Sequence, residues 1–444
     1  MNRPTLKIGI MYEPEIAFVL NGDYTLGETG GIFNGPQMVQ YSEGKILLNG
    51  NPVRLVEVVL NPVDYEKASF ELKDVTIGIK FHWERKENQH FRGALHIAVE
   101  NEKLTAMNNI ALEDYLESVI SSEMSATSSM ELLKAHAVIS RSWLLAQVVK
   151  GDEIKHSAKK YNPISETETE YIRWYDREDH LIFDVCADDH CQRYQGITRQ
   201  VGEFVQKAVS ETAGLALTYE GKVCDARFSK CCGGIAEVFE NVWEPVVHPY
   251  LQAIVDNMQM PEDFESDLSV ELAAQQWIRQ SPEAFCNTSN KKVLSQVLND
   301  YDQETADFYR WKVSYTQQTI AELIARKSGR AFGDIIDLIP VQRGKSGRLI
   351  KLKIVGTKKT LVIGKELEIR KTLSESHLYS SAFVVDKLNV ENGIPGEFVL
   401  TGAGWGHGVG LCQIGAAMMG EKGYTFEEIL MHYFKGAELE KLYG

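Results

Sequence analysis

The sequence contains no long apolar segment. Nowhere in its 444 residues is there a run approaching the about 18 apolar residues that a membrane-spanning helix needs. The N-terminal segment MNRPTLKIGIMYEPEIAF also becomes polar too early to resemble a signal peptide. We therefore expect a soluble chain without a membrane span, which is either not exported or lacks its targeting segment in this sequence.

An excess of basic residues is missing as well. The chain carries 47 Lys and Arg against 62 Asp and Glu, a formal net charge of −15. Because nucleic-acid binding requires a basic face, this balance argues against nucleic acid as the main ligand. An anionic sugar polymer is not excluded, since a cleft can be basic in an acidic protein. Solubility alone also accounts for the acidity.

A disulfide framework is a third feature that the sequence lacks. The number of cysteines is odd for a long chain, and their spacing is not that of a disulfide-rich domain. Several lie close together between positions 186 and 232, which indicates metal binding or buried thiols. The seven residues are Cys186, Cys191, Cys224, Cys231, Cys232, Cys286 and Cys412.

Length and pattern predict an α+β protein with more than one domain. A chain of this length is too long for one compact core. Strand-like alternation dominates residues 1–105, which we predict to be a β-rich domain. Helical and strand patterns mix in residues 106–256 and 396–444, the predicted catalytic core. Between these two parts, residues 257–395 are predicted to form an inserted α+β module.

Glu123 is the first candidate for chemistry. The segment ALEDYLESVIS has helical periodicity, and a second helix should begin near Ser128, where Ser128 and Glu131 form a capping-box pattern. Glu123 falls in the short polar connection between them. A carboxyl group held against apolar neighbours has its charged form disfavoured, so it can donate a proton near neutral pH. The alternative is a solvated loop residue or a helix cap.

Arg141 lies well inside the second predicted helix, MELLKAHAVISRSWLLAQVV. A cation near the carboxyl group of Glu123 would hold a glycan carboxylate or polarise a sugar oxygen. The alternative is an exposed helix arginine. Trp143, on the same helix, fits core packing better than a stacking platform for sugars.

The segment HLIFDVCADDHCQ carries a candidate metal site. His180, Cys186, His190 and Cys191 offer the imidazole nitrogen and thiolate sulfur that zinc prefers, and a loop of this length can surround a tetrahedral ion. Their spacing matches no common zinc-finger pattern, so a dry pair of core cysteines is the alternative. We interpret the vicinal cysteines at 231–232 as structural.

The C-terminal stretch GAGWGHGVG alternates five glycines with other residues, among them Trp405 and His407. In an extended conformation one face would carry no side chain, so another backbone or a ligand could approach closely. His407 could act as a general base, donate a hydrogen bond to a sugar, or be a satisfied core histidine. A dinucleotide-binding loop is a poor alternative, because no strand–glycine–helix unit with a downstream acidic residue surrounds the stretch.

Together, these separated segments resemble one family. The first is ALEDYLESVISSEM followed by ELLKAHAVISRSW. It is followed by HLIFDVCADDHCQRYQG, FSKCCGGIAEVFENVW and GAGWGHGVGLCQIGAAMMGEKGYTFEEILMHYF. In this order they are similar to the stage II sporulation protein D / amidase-enhancer family of bacterial cell-wall proteins. The resemblance covers most of residues 85–440.

The resemblance implies a lytic transglycosylase that cuts peptidoglycan glycan strands, particularly strands stripped of stem peptides. It implies that Glu123 acts first as acid and then as base, closing a 1,6-anhydro ring without consuming water. Arg141 matches a family arginine near that residue. Some family members only stimulate a partner amidase, so a non-catalytic activator that binds glycan or the amidase is the alternative. A zinc hydrolase is a third option and would need an open coordination position on the metal.

The resemblance also implies the ligands and the location of the protein. His180, Cys186 and Cys191 match a family zinc site, which we expect to be structural and to be completed by His190 or water. A location in the cell envelope is expected from the substrate, although no signal peptide or membrane anchor is apparent in the sequence. We expect substrate contacts from Ser229, Lys230, Trp405, His407, Gln413 and Tyr433.

The chain departs from the family pattern at a few positions. His136 stands where members usually carry Gln, and Lys230–Cys231–Cys232 stands where they often carry Ser-Thr-Ser. Cys412 replaces a common Ser. These positions line or flank the expected cleft, so they bear on substrate preference.

Overall fold

A computed structural model describes residues 4–27, 30–53, 57–78, 84–125, 128–155, 163–174, 180–188, 191–198, 202–297 and 307–444. His190, one of the candidate metal ligands, lies outside these residues. The described part contains both helices and strands, and the predicted α+β class is confirmed. None of its helices combines the length and apolarity that crossing a bilayer requires.

The strands are named in chain order. They are β1 (Thr5–Glu13), β2 (Glu15–Leu26), β3 (Ile32–Ser42), β4 (Lys45–Leu48), β5 (Asn51–Pro52), β6 (Glu57–Pro62), β7 (Ser69–Ile77), β8 (Arg85–Phe91), β9 (Ala94–Glu100), β10 (Lys103–Ala111), β11 (Ile164–Glu166), β12 (Glu170–Arg173), β13 (Val185–Cys186), β14 (Leu215–Tyr219), β15 (Lys222–Val223), β16 (Phe228–Ser229), β17 (Arg310–Thr316), β18 (Ile335–Arg343), β19 (Leu349–Gly356), β20 (Thr360–Gly364), β21 (Phe383–Glu391), β22 (Ile394–Ala403), β23 (Leu411–Cys412) and β24 (Glu438–Lys441).

The helices are named in the same way. They are α1 (Leu112–Glu123), α2 (Met130–Lys155), α3 (Glu203–Glu211), α4 (Glu271–Gln280), α5 (Lys291–Val297), α6 (Gln317–Ser328), α7 (Glu366–Thr372), α8 (Gln413–Glu421) and α9 (Phe426–Tyr433), with a short 3-10 turn at Phe239–Asn241.

The N-terminal region forms one large sheet. Its main strand order is β13-β1-β10-β9-β6-β2-β3-β4-β5, and β7 joins β2 and pairs with β8. The hairpin of β9 and β10 turns where the sequence predicts, with Lys103 opposite Glu100. Its alternating apolar residues, such as Ile97 and Leu104, are fully buried, and so are His96 and Thr105 on the opposite face, so both faces of this hairpin are covered. Strand β10 runs to Ala111, past the predicted boundary at 105.

Helices α1 and α2 follow this sheet directly. Helix α1 buries its apolar stripe, including Leu116 and Val119, against the core. The predicted capping box of Ser128 with Glu131 is wrong. The hydroxyl of Ser129 accepts the hydrogen bond from Leu132 N (3.4 Å), while the carboxylate of Glu131 accepts one from Phe426 N (2.7 Å). The side chain of Glu131, which the local pattern assigned to the helix end, therefore makes a tertiary contact instead, and the capping residue is Ser129.

Two further sheets belong to the inserted region. One has the order β11-β12-β20-β19-β18 and the other β17-β22-β21. Strands β11 and β12 come from residues 164–173, before the predicted module begins, and β12 runs parallel to β20. Strand β22 ends at Ala403 and leads directly into the glycine-alternating stretch. The module's sheets therefore hold that stretch at one end.

The C-terminal helices pack back on the core. Helix α9 starts with the predicted capping box, in which Thr425 Oγ1 accepts from Glu428 N and the Glu428 carboxylate accepts from Thr425 N. This prediction is confirmed. Strand β24 then pairs with β14, so the last strand of the chain lies antiparallel to the strand that follows α3.

Candidate functional site

Glu123 is the last residue of α1 and is half-buried between the buried residues Ser122 and Met124. The backbone N–H of Met124 donates to Ile120 O (2.8 Å) and ends the helix. Helix α1 is thus two residues longer than the predicted limit at Ser121, and Glu123 belongs to it rather than to the connection. The negative end of the helix dipole disfavours a charged carboxylate at this place.

The segment after Glu123 shares its neighbours with Lys230. Ser125 N donates to Gln296 O (3.0 Å), and Lys230 Nζ donates to Val297 O (2.6 Å). Because Gln296 and Val297 are adjacent residues at the end of α5, the ammonium group of Lys230 lies beside the turn that follows Glu123. A cation near the helix C-terminus is also electrostatically favourable.

Arg141 lies inside the protein. It is fully buried, and its Nε and Nη2 atoms donate to the two carboxylate oxygens of Glu113 (3.1 and 2.6 Å). Nη1 donates to Leu215 O (2.9 Å), and Tyr443 Oη donates to Glu113 Oε1 (2.7 Å). Arg141 therefore joins α1, α2, β14 and the C-terminal segment as an internal ion pair. It is neither an exposed arginine nor placed to hold a glycan carboxylate.

His407 is held by the backbone. Its Nδ1 accepts a hydrogen bond from Val409 N (3.0 Å), and the backbone of Phe228 also hydrogen-bonds the ring. Desolvation and the nearby guanidinium groups, that of Arg227 first, lower the pKa of His407 well below its usual range, although the residue as a whole is only half-buried. Of the three roles left open by the sequence, this geometry favours a satisfied, neutral histidine over a general base.

Trp405, the tryptophan of the glycine stretch, is half-buried. Its ring lies 4.5 Å from that of Tyr379 and 4.7 Å from that of Phe308, centroid to centroid. Its backbone exchanges two hydrogen bonds with Cys231 (3.1 and 2.8 Å). Trp405 is therefore fixed in orientation while remaining partly exposed, as a sugar-stacking residue requires.

The other three expected contact residues are buried. Ser229 in β16 pairs with Cys412 in β23, and its Oγ has no hydrogen-bond partner among the described residues. Gln413 Nε2 lies 3.2 Å from His136 Nε2, and Tyr433 Oη donates to Asp256 Oδ1 (2.5 Å). Gln413 and Tyr433 thus make internal hydrogen bonds, and the hydroxyl of Ser229 is enclosed, so none of the three side chains is exposed to a ligand.

The predicted metal ligands of the 180–191 loop come together. One atom each of His180, Cys186 and Cys191 lies within 4.8 Å of the others. His180 Nε2 is 3.5 Å from Cys191 Sγ, close to the about 3.6 Å that tetrahedral zinc with normal bond lengths gives between a nitrogen and a sulfur ligand. Strand β13 places Cys186 opposite Gly9 of β1 and so attaches the group to the large sheet.

This metal-ligand group lines a cleft of about 1110 Å³. Three tryptophans (Trp143, Trp174 and Trp243) also line it. Among the described residues that line it, five are cationic and three are acidic (Glu100, Asp188 and Glu244), although the whole chain is strongly acidic. The five are Arg173, Arg193, Arg227, Arg370 and Lys371. Neither Glu123 nor Arg141 is among the described residues that line this cleft.

Comparisons with known proteins agree with this arrangement of motifs. A sequence model of the stage II sporulation protein family matches residues 100–219, and a domain of unknown function matches residues 237–410. The chain is 24% identical to stage II sporulation protein D of Bacillus amyloliquefaciens over 76% of each chain. It is also 24% identical to the amidase enhancer of Bacillus subtilis, over 52% of this chain and 32% of that protein. An uncharacterized protein of Brachyspira hyodysenteriae is 27% identical over 79% of this chain and 72% of that protein.

Residues 100–219 therefore carry a domain of the stage II sporulation protein family, and the chain is similar to stage II sporulation protein D and to the amidase enhancer. The matched segment contains Glu123, Arg141, His180, Cys186 and Cys191, whereas Trp405 and His407 fall in the domain of unknown function. This similarity supports a role related to the bacterial cell wall.

Two arginines near the candidate site carry no signal in the sequence. Arg227 lies 4.4 Å from the ring centroid of Trp243, and its Nη2 donates to Asp225 Oδ2 (2.9 Å). Arg348 is buried and donates to Cys232 O (2.9 Å) and to Gly406 O (3.1 Å). Their importance depends on long-range contacts that neither residue's local sequence reveals.

Proposed function

We propose that this chain is a lytic transglycosylase that cuts peptidoglycan glycan strands with Glu123 as its acid/base residue. The observation that carries the proposal is the position of Glu123: a partly exposed carboxyl group at the end of α1, between two buried residues. A carboxyl group that ligands can reach is what protonation of a glycosidic oxygen requires.

The proposed reaction needs a single carboxyl group. In its protonated form, Glu123 donates a proton to the oxygen between N-acetylmuramic acid and N-acetylglucosamine as that bond breaks. The carboxylate of Glu123 then accepts the proton of the muramic 6-hydroxyl. At the same time the 6-oxygen of the muramic residue bonds to C1 of that residue and closes the 1,6-anhydro ring. Glu123 ends protonated again, and no water is consumed. The internal ion pair of Arg141 is compatible with this scheme, because no second charged group is required.

The cleft next to the 180–191 loop is the proposed groove for the part of the strand beyond the bond that Glu123 cuts, since Glu123 is not among the described residues that line it. Tryptophan faces stack on sugar rings, and a muramic residue without its stem peptide carries a free carboxylate. The excess of cations that line the cleft would attract that carboxylate although the protein as a whole is acidic. This match supports strands stripped of stem peptides as the preferred substrate, and with it a location in the cell envelope.

We further propose that His180, Cys186 and Cys191 hold a structural zinc ion. The 3.5 Å separation of His180 Nε2 and Cys191 Sγ supports the fit. The ion would fix the loop that carries His180 against β1 and so shape one wall of the cleft, as structural zinc sites do.

The experiment is digestion of purified glycan strands, with and without stem peptides, followed by separation of the products. We expect 1,6-anhydro-muramic ends from stripped strands, and a loss of rate on the order of 10²–10⁴ in Glu123→Gln. Glu117→Gln, a half-buried carboxyl group of the same helix, is the matched control and should keep the wild-type rate. Equal rates for wild type and Glu123→Gln would overturn the assignment.

A second function is favoured by one observation: Glu123 is not among the described residues that line the tryptophan-rich cleft. A non-catalytic activator that binds glycan in that cleft and stimulates a cell-wall amidase would need no carboxyl group there. It predicts no anhydro products, but faster release of stem peptides when an amidase is added. The same digestion, repeated with an added amidase, distinguishes the two functions.

A further inference from the structure

Four side chains from distant parts of the chain meet in the interior, away from the cleft. They are Cys232, Asp256, Cys286 and Cys412, and one sulfur or oxygen atom of each lies within 4.8 Å of the others. All four residues are at most 2% exposed. Ionised groups at this depth require compensation from within the protein.

We propose that these four residues bind a structural Zn²⁺ ion, a site separate from the one on the 180–191 loop and independent of the role proposed for Glu123. Three thiolates and one carboxylate form a closed tetrahedral set of zinc ligands. Cys232 Sγ lies 3.7 Å from Cys286 Sγ, and tetrahedral zinc with normal bonds separates two sulfur ligands by about 3.8 Å. A disulfide would need about 2.05 Å.

The carboxylate of Asp256 is already oriented. Its Oδ1 accepts a hydrogen bond from Tyr433 Oη (2.5 Å), and its Oδ2 accepts one from Cys286 N (2.8 Å). Each oxygen keeps a second lone pair for a metal. Outer hydrogen bonds of this kind orient metal-binding carboxylates. Tyr433, which was expected from the sequence to contact a sugar, therefore orients Asp256, one of the proposed metal ligands.

Backbone donors also point at the sulfur atoms. Cys232 N donates to Cys412 Sγ (3.2 Å), and Gly234 N donates to Cys232 Sγ (3.3 Å). Cys412 occupies the N-cap position of α8, where the helix dipole favours a thiolate. The thiols of this cluster are thus placed where a ligand thiolate would be stabilised.

The composition of the cluster favours a cation. Three thiols and a carboxyl group packed within 4.8 Å of one another in the interior cannot all ionise without a positive charge among them. A divalent ion would allow three thiolates and the carboxylate to ionise at once. The buried guanidinium group of Arg348, which donates to Cys232 O (2.9 Å), would offset part of the remaining negative charge.

The ion would connect separate parts of the fold. Cys286 lies in the inserted region, whereas Cys412 starts α8, and Cys231, next to Cys232, pairs with Trp405 through the backbone. The bound metal would therefore fasten the inserted region to the glycine stretch and hold Trp405 in place.

The test is the zinc content of the purified full chain, measured per molecule by mass spectrometry. We expect two zinc ions in the wild type and one in Cys186→Ser/Cys191→Ser, which keeps only the buried site. Cys232→Ser/Cys412→Ser should lose one ion, whereas Cys224→Ser, which changes another buried cysteine, should lose none. Serine at 412, and often at 232, is what the family usually carries, so we expect this double variant to fold.

The proposal is overturned if Cys232→Ser/Cys412→Ser keeps the wild-type zinc content, or if the wild type shows a Cys232–Cys286 disulfide in peptide mapping. Should that variant not fold, cobalt substitution of Cys186→Ser/Cys191→Ser decides the question. One Co²⁺ per chain with sulfur-to-cobalt charge-transfer absorption is expected. Absence of that absorption contradicts a thiolate site at these residues.

Discussion

His136 is a neutral histidine in the dry interior of α2. Ser140 Oγ and Gln413 Nε2 each lie 3.2 Å from its ring nitrogens, and burial lowers its pKa from 6.5 to about 3. Between these values the unfolded chain takes up a proton that the folded chain refuses. The free energy of unfolding therefore falls as the pH falls through this window, and the contribution is fully present above pH 6.5.

Replacing His136 with Gln, the residue that family members usually carry, removes this proton uptake. The free energy of unfolding should drop between pH 7 and pH 4.5 in both proteins. We expect this drop to be about 2–3 kcal/mol smaller in His136→Gln than in the wild type. Urea unfolding at the two pH values measures the difference, with His90→Gln, a more exposed histidine, as control. A parallel loss of stability in wild type and His136→Gln would show that the ring is not excluded from water.

The ion pair of Arg141 with Glu113 gives a second prediction for single residues. Arg141→Ala leaves the Glu113 carboxylate buried without its partner, which should cost about 3–5 kcal/mol in unfolding free energy. Glu113→Leu/Arg141→Met removes both charges and should recover most of this loss. If the pair is only structural, the double variant also keeps the cleavage rate. A stable double variant that releases no product would show that the ion pair of Arg141 is needed for cleavage.

Sequence reasoning worked for site residues whose partners are close along the chain. His180, Cys186 and Cys191 could be grouped from one short segment, and the structure brings them together. Arg141 and His407 could not be placed in the same way. The partners of Arg141 include Leu215 and Tyr443, and such contacts over long sequence separations are decided by tertiary packing.

At the scale of elements, the glycine stretch depends on close packing. Gly408 has φ +79°, and a Cβ atom there would overlap the guanidinium group of Arg348. Gly423 has φ +88° and open space around it. Gly423→Ala therefore reports the backbone strain alone, about 1–2 kcal/mol. We expect Gly408→Ala to cost about 2 kcal/mol more, because Arg348 must give up buried hydrogen bonds.

Thermal or urea unfolding of the two variants checks this prediction. Equal losses for Gly408→Ala and Gly423→Ala would mean that Arg348 can move away without cost. In that case Arg348 does not hold the glycine stretch against the inserted region.

Elements with strong local signals were predicted well. The hairpin of β9 and β10 and the capped helix α9 follow from alternation and from the Thr425–Glu428 pattern. The extended conformation expected for the glycine stretch was only partly right. Gly404, Gly406, Gly408 and Gly410 have positive φ, so the chain turns repeatedly where a plain strand would run straight. The expected close backbone approach is nevertheless present, since a Cβ atom at Gly404 would lie 2.8 Å from Cys231 O.

At the scale of the whole molecule, the cations that line the cleft contrast with the negative net charge of the chain. If the cations of the cleft bind muramic carboxylates, affinity for stripped glycan strands should fall as salt is raised from low to physiological concentration, because salt screens exposed charges. Binding of neutral chitin oligomers, measured in parallel, should change little. Identical salt dependence for both ligands would show that stacking and not charge governs binding.

The overall architecture was predicted only in outline. The α+β class and the order of regions could be inferred from periodicity. The pairing of β12 with β20, which joins residues 170–173 to the inserted region, could not be inferred, because a short strand carries no signal about a distant partner. The interior cluster at Cys232, Asp256, Cys286 and Cys412 was missed because its members are also far apart in the sequence.

The most direct test of the proposed activity is the mass of the products released from stripped glycan strands. Cleavage with ring closure by Glu123 predicts muramic ends lighter by one water than hydrolysis products, with no oxygen-18 incorporated from labelled water. It also predicts that Glu123→Gln, but not Glu117→Gln, abolishes them. Labelled, reducing muramic ends, or anhydro products undiminished in Glu123→Gln, would contradict the account.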